Sequence, residues 1–174
     1  AGGVAGSLLL SAWGGPKRRI KGVLFGLIIV GAITSLLGVA SELTTWALTA
    51  FFLTFLVPII NGSSQAIWQA KVAPDVQGRV FASRLLIAQI STPVSMLLAG
   101  PLADQVFEPA MASTGSLAPA FGALVGNGPG SGMALMFVVS GVLAAITGLV
   151  GYSIPVVRNA EDILPDHDVV VARP

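Results

Sequence analysis

KGVLFGLIIVGAITSLLGVASELTTWALTAFFLTFLVPIINGSSQAIWQAK, residues 21–71, carries Glu42 as its only charge between two terminal lysines. A helix that crosses a bilayer needs about 20 predominantly apolar residues. Gly22 to Ser41 supplies one such run, and Leu43 onward supplies a second that is long enough to tilt or to project beyond the hydrocarbon. The apolar positions do not alternate with period two, which excludes porin-type strands. Two antiparallel spanning helices joined at Glu42 are the reading, and it organises the rest of the chain.

Outward from this stretch the same pattern repeats. The 174 residues are 54% hydrophobic and 10% charged, with a mean hydropathy of +0.86. A soluble domain carries about 25% charged residues, so the surface of a soluble globule of this size could not be coated. A net charge of +1 leaves no basic face to compete for nucleic acid. Without cysteine there are no disulfides, thiolate metal sites or thiol nucleophiles. The residues offer no phosphate loop, catalytic triad or metal-ligand cluster, so neither an enzyme nor a cofactor is expected. The fold class is all-α, a polytopic membrane helix bundle. Complete spans are expected at about 22–41, 43–68, 85–103 and 133–155, after a truncated stub at 1–13. Together these form a membrane domain fragment over 1–157, followed by a tail at 158–174. The Gly-, Pro- and Ser-rich run STGSLAPAFGALVGNGPGSG, residues 113–132, reads as a loop. The chain opens inside an apolar run and reads as the C-terminal piece of something longer.

The basic residues fall in alternate connections. Lys17, Arg18, Arg19 and Lys21 follow the stub; Lys71, Arg79 and Arg84 follow the second span; Arg158 and Arg173 lie in the tail. The connection at Glu42 and the one from Asp104 to Gly132 hold none. All nine Lys and Arg therefore lie on one side. The positive-inside rule puts that side, and the C-terminus, in the cytoplasm.

Two stretches carry a resemblance. AGSLLLSAWGGPKRRIKG, residues 5–22, is a small-residue helix end, a Gly-rich turn and a dense basic cluster before re-entry into the membrane. It is similar to the cytoplasmic loop of the major facilitator superfamily, with Gly6, Gly14 and Lys17 to Arg19 answering to that motif and its acidic position absent. NGSSQAIWQAKVAPDVQGRVFASRLLIAQISTPVSMLLAGPLAD, residues 61–104, resembles the macrolide-efflux-like subgroup, chiefly through VAPDVQGRVFA and AGPLAD. The resemblance implies a twelve-helix fold in two halves, of which this chain is the end of the eighth helix and the ninth to twelfth. It implies a secondary active transporter in a bacterial cytoplasmic membrane, exporting a hydrophobic or amphipathic small molecule by alternating access with proton exchange. The partners are then the lipid bilayer, the missing N-terminal half and the substrate. The alternative is a non-transporting membrane scaffold or interaction protein.

Candidate site residues follow from polarity inside apolar helices, where a polar group is costly and usually faces a bundle interior or a water path. Asn61, Ser64, Gln65, Trp68 and Gln69 recur at spacings of three and four, which is one helical face. Asn61, Ser64, Gln65 and Gln69, with Gln89 on the next span, are the expected lining of a substrate passage. The competing readings are interhelical hydrogen bonding and emergence into the headgroups, with Trp68 as anchor. Lys17, Arg18, Arg19, Asp75, Arg79 and Arg84 are the candidates for a gating role in the cytoplasmic loops; a solvated loop that only sets topology is the alternative. Gly22 and Gly26, and Gly141, Ala144 and Gly148, form small-residue faces that allow close helix approach.

Overall fold

The computed structural model describes residues 1–164, 166 and 167. Most of these are helical, with no strand among them. A short α1 (Gly2–Trp13) ends at Gly14, whose φ of 75° is the left-handed helix stop that glycine adopts without strain. Then come α2 (Arg19–Val39), α3 (Leu43–Lys71) and α4 (Pro74–Pro101). α4 runs without a break into a π-helical segment at Leu102–Phe107 and a last turn, α5 (Glu108–Met111). After a connection holding α6 (Ala118–Val125), α7 (Ser131–Ser153) returns, and α8 (Pro155–Arg158) and α9 (Ala160–Ile163) close the described chain. Four of these helices, counting Pro74–Met111 as one, are long and apolar enough to cross a membrane. The chain is thus an all-α bundle of the multi-pass membrane type.

The centre of the bundle is an antiparallel pair, α2 against α7. It forms because small residues on both helices let the backbones touch. A Cβ on Gly31 would lie 2.5 Å from Gly141 O and Ala145 N, and one on Gly141 would strike Gly31 O in return. Gly38 abuts Ala134, and Gly148 fits over Leu24 and Ile28. Ser35 Oγ donates to Val138 O across the seam at 3.2 Å and to Gly31 O within its own helix at 3.1 Å. This contact is dispersion and hydrogen bonding between close backbones, the form of association available where lipid offers no hydrophobic drive. α3 lies against the other side of α2, with Ile60 filling the notch at Gly26, and α1 leans on α3 through Gly2 and Gly6.

The connection from Asp104 to Gly132 is more ordered than its composition suggests, in two places. Asp104 and Glu108 are on the continuing helix, because Leu102, Val106 and Phe107 keep the segment apolar and the widened π turn accommodates Pro101 and Pro109. The Gly- and Pro-rich run contains α6, started by Pro119 in its first turn and ended at Gly126, whose φ is 82°.

Candidate functional site

At the basic end of the bundle, charge organises the structure. The N-terminus of α2 has no local side-chain cap. Its Ile20 N–H instead donates to Glu161 Oε2 at 2.9 Å, a carboxylate from α9 far along the chain. An anion there satisfies an orphan donor and the positive end of the helix together. Arg18 pairs with Asp162 at 3.1 Å, and Arg19 Nη1 donates to Ala66 O of α3 at 3.1 Å. Lys71, at the end of α3, pairs with Asp166 at 2.8 Å, donates to Glu161 O at 2.7 Å and also meets Leu164 O. The segment after α8 therefore ties the first turn of α2 to the last turn of α3. A cavity of about 270 Å³ sits within this cluster, lined by Lys17, Arg19, Lys71, Glu161 and Asp166.

The polar face of α3 meets α4 beside this cluster. Arg84 Nη2 reaches Ser64 Oγ at 3.4 Å. Its guanidinium lies 4.6 Å from the centroid of the Trp68 ring and 6.0 Å from that of Phe81. Gln65, Phe81, Arg84, Leu85 and Ala88 border a cleft of about 350 Å³ between the two helices. One turn lower, Gln77 Nε2 donates to Gln69 O at 3.0 Å and Val72 O at 2.8 Å, which pins the start of α4 to the end of α3.

Of the residues expected from sequence, Ser64, Gln65 and Arg84 come together at this cleft, and Gln69 lies at its base through its carbonyl. Asn61 is exposed on α3 and Gln89 is exposed on α4; neither borders the cleft. Asp75 and Arg79 are exposed on the first turns of α4 and make no ion pair among the described residues. Lys17, Arg18 and Arg19 belong to the ionic cluster rather than the cleft. Sequence reasoning missed Lys71, Glu161, Asp162 and Asp166. The available signal was an acidic pair, Glu161-Asp162, in a region otherwise read as solvated tail, opposite in sign to the Lys17–Lys21 cluster.

At the other end of the bundle Glu108 plays for α7 the part that Glu161 plays for α2. It accepts from Gly130 N at 2.6 Å and from Gly132 N at 2.9 Å. Both helices of the central pair are thus capped by a glutamate supplied from another element.

Comparison with known proteins bears on what this arrangement is for. The chain is 25% identical over 108 residues, 61% of its length, to macrolide efflux protein A of Streptococcus pyogenes, and to the same degree to that of a serotype M6 strain of the species. The match spans about a quarter (27%) of those proteins' own length. No family model matches the chain, and no solved structure does. The likeness is distant, and with the four apolar helices it marks a transporter-like, multi-pass membrane protein.

Proposed function

We propose that this chain is the C-terminal part of a secondary active transporter of the major facilitator superfamily that exports a hydrophobic or amphipathic small molecule. The observation that carries the reading is the α3/α4 cleft, where Ser64, Gln65 and Arg84 gather between the two helices. Polar groups on spanning helices usually face a bundle interior or a water-filled path, where partners or water offset their cost. The similarity to efflux proteins supports the same reading. On it, the basic end is cytoplasmic, as the nine basic residues on one side suggest. The remaining half of the protein covers α4 and completes the passage, and the two halves rock to expose it to either side in turn. Proton exchange would drive the cycle. Arg84, stacked on Trp68, would hold the two walls of the cleft together at the cytoplasmic mouth.

The test is steady-state accumulation of a radiolabelled macrolide in efflux-deficient bacteria expressing the full-length protein. Accumulation should fall below that of the empty-vector strain and recover when an ionophore collapses the proton gradient. Equal accumulation in both strains contradicts export, and a scaffold that only holds a partner becomes the better account.

A further inference from the structure

A smaller cavity, of about 150 Å³, lies at the basic end of the bundle, where the turn between α1 and α2 meets α3. Leu10, Pro16 and Ala66 give it apolar walls, and the chain turns past it through Gly14 and Gly15, whose φ values are 75° and 83°. Two polar side chains line it among the described residues, Arg19 from α2 and Ser63 from α3, and no carboxylate does. Arg19 also borders the ionic cavity next to it.

Both polar groups are unspent. Ser63 is 3% exposed, and its Oγ is sealed from solvent with no hydrogen-bond partner among the described residues. The other buried or lipid-side hydroxyls of α3 behave differently: Thr49 donates back to Thr45 O at 2.7 Å and Thr54 to Ala50 O at 2.9 Å. A buried hydroxyl without a partner costs stability and calls for an explanation. Arg19 carries five N–H donors in a fixed fork. It spends one on Ala66 O at 3.1 Å and makes no ion pair among the described residues. The carboxylates of the adjoining ionic cavity are engaged elsewhere, Glu161 with Ile20 N and Asp166 with Lys71.

From this combination we infer that the cavity binds a small inorganic monoanion of the halide class. Arg19 supplies one full positive charge, so one negative charge balances it. Ser63, whose hydroxyl can turn about χ1 between staggered positions, supplies a second donor. Water alone would satisfy Ser63 but leave the guanidinium without a counter-charge beside apolar walls. At about 30 Å³ per water, the volume takes about five water-sized groups. That is room for a halide with part of its hydration shell, and too little for a phosphodiester with its glycerol. The bound ion would join the first turn of α2 to α3 beneath the α1–α2 turn. The inference goes beyond the export reading and stands without it, because binding is read directly and no transport is needed.

The test uses the full-length protein in phosphatidylcholine nanodiscs, with chloride as the probe. Chloride-35 line broadening, with empty nanodiscs subtracted, reports binding. Thermal unfolding in sodium chloride and in sodium gluconate at equal ionic strength reports the stabilisation that binding brings, gluconate being too large for the cavity. The wild type should broaden the line and melt higher in chloride. Arg19→Gln, which can still donate to Ala66 O, and Ser63→Ala should each weaken chloride binding by about tenfold, the loss of one charge-assisted hydrogen bond. Arg19→Lys should retain it. In gluconate Ser63→Ala should melt no lower than the wild type, which separates loss of the site from loss of the fold. No broadening and equal melting in the two salts would make the cavity a water site and overturn the inference. Chloride binding that either Arg19→Gln or Ser63→Ala leaves unchanged places the ion elsewhere and overturns it too. Binding in maltoside micelles but not in nanodiscs would make a lipid phosphate the occupant in place of the halide.

Discussion

α2 and α4 are both long, apolar and dotted with glycine, yet one is the best-packed helix of the bundle and the other is nearly bare. On α2, Leu24, Gly26, Gly31, Leu37 and Gly38 are buried. On α4 no residue is, and Met96 and Leu97 are about three-quarters exposed. The difference is where the small residues fall. Gly31 and Gly38 lie opposite Gly141 and Ala134, so two backbones close on one another, whereas a Cβ at Gly78 or Gly100 meets nothing. α4 is held at its base by Gln77 and Arg84 and at its far end through the π-helical segment. Glycine count does not decide close packing; facing register does. The pair α2/α7 is a close-packed scaffold, and α4 is a wall that the rest of the described chain leaves unburied.

The largest effect should come from breaking the scaffold. Gly31→Ile drives a branched side chain into the backbone of α7 and should cost about 3 kcal/mol, at the upper end for overpacking. Gly100→Ile on α4 should cost under about 0.5 kcal/mol, as for an unconstrained surface position. Thermal unfolding in detergent, run on both, measures the contrast; equal losses would erase the distinction between scaffold and wall.

Removing the remote caps comes next. Glu108→Ala strands the N–H groups of Gly130 and Gly132, and Glu161→Ala strands that of Ile20. Each should cost about 1–2 kcal/mol by the same unfolding measurement, the range for a lost helix cap. The glutamine variants should recover part of it, because the amide oxygen still accepts.

How much of this was legible beforehand depends on range. The four apolar helices followed from Lys21–Lys71 and its repeats, since span length and charge spacing are local properties. The polar face Ser64-Gln65-Trp68 was legible from helical spacing, and the structure brings Arg84 onto it. The caps were not legible. Glu161 acts on Ile20 and Glu108 on Gly130, and no local pattern announces a partner that only folding brings near. Nor could periodicity tell that Asp104 rides a π turn, because the surrounding residues are those of any apolar helix end.

A smaller effect is expected where α4 touches α3. Arg84→Met keeps length and apolarity but loses the cation over Trp68, at about 0.5–1 kcal/mol for a partly exposed site. Quenching of Trp68 fluorescence by acrylamide should rise as the cleft loosens, while the unfolding temperature scarcely moves. The smallest effect belongs to Arg18–Asp162, whose side chains are 54% and 62% exposed. Asp162→Asn should change stability by under about 0.5 kcal/mol and vanish into the background in high salt.

The contrast between scaffold and wall is tested most directly by thiol labelling, to which these 174 residues contribute no native cysteine, any elsewhere in the full-length protein being replaced by serine first. In the full-length protein, single substitutions Gln65→Cys and Ala88→Cys place probes at the α3/α4 cleft, and Leu135→Cys places one at a buried position of α7, where Leu135 is 1% exposed. Maleimide reacts where water reaches the thiol. The cleft positions should label quickly and, if the proposed export function holds, be slowed by a macrolide, and the buried α7 position should stay unreactive with or without it. Labelling at Leu135 as fast as at Gln65, or cleft labelling that the macrolide leaves unchanged, would contradict the account.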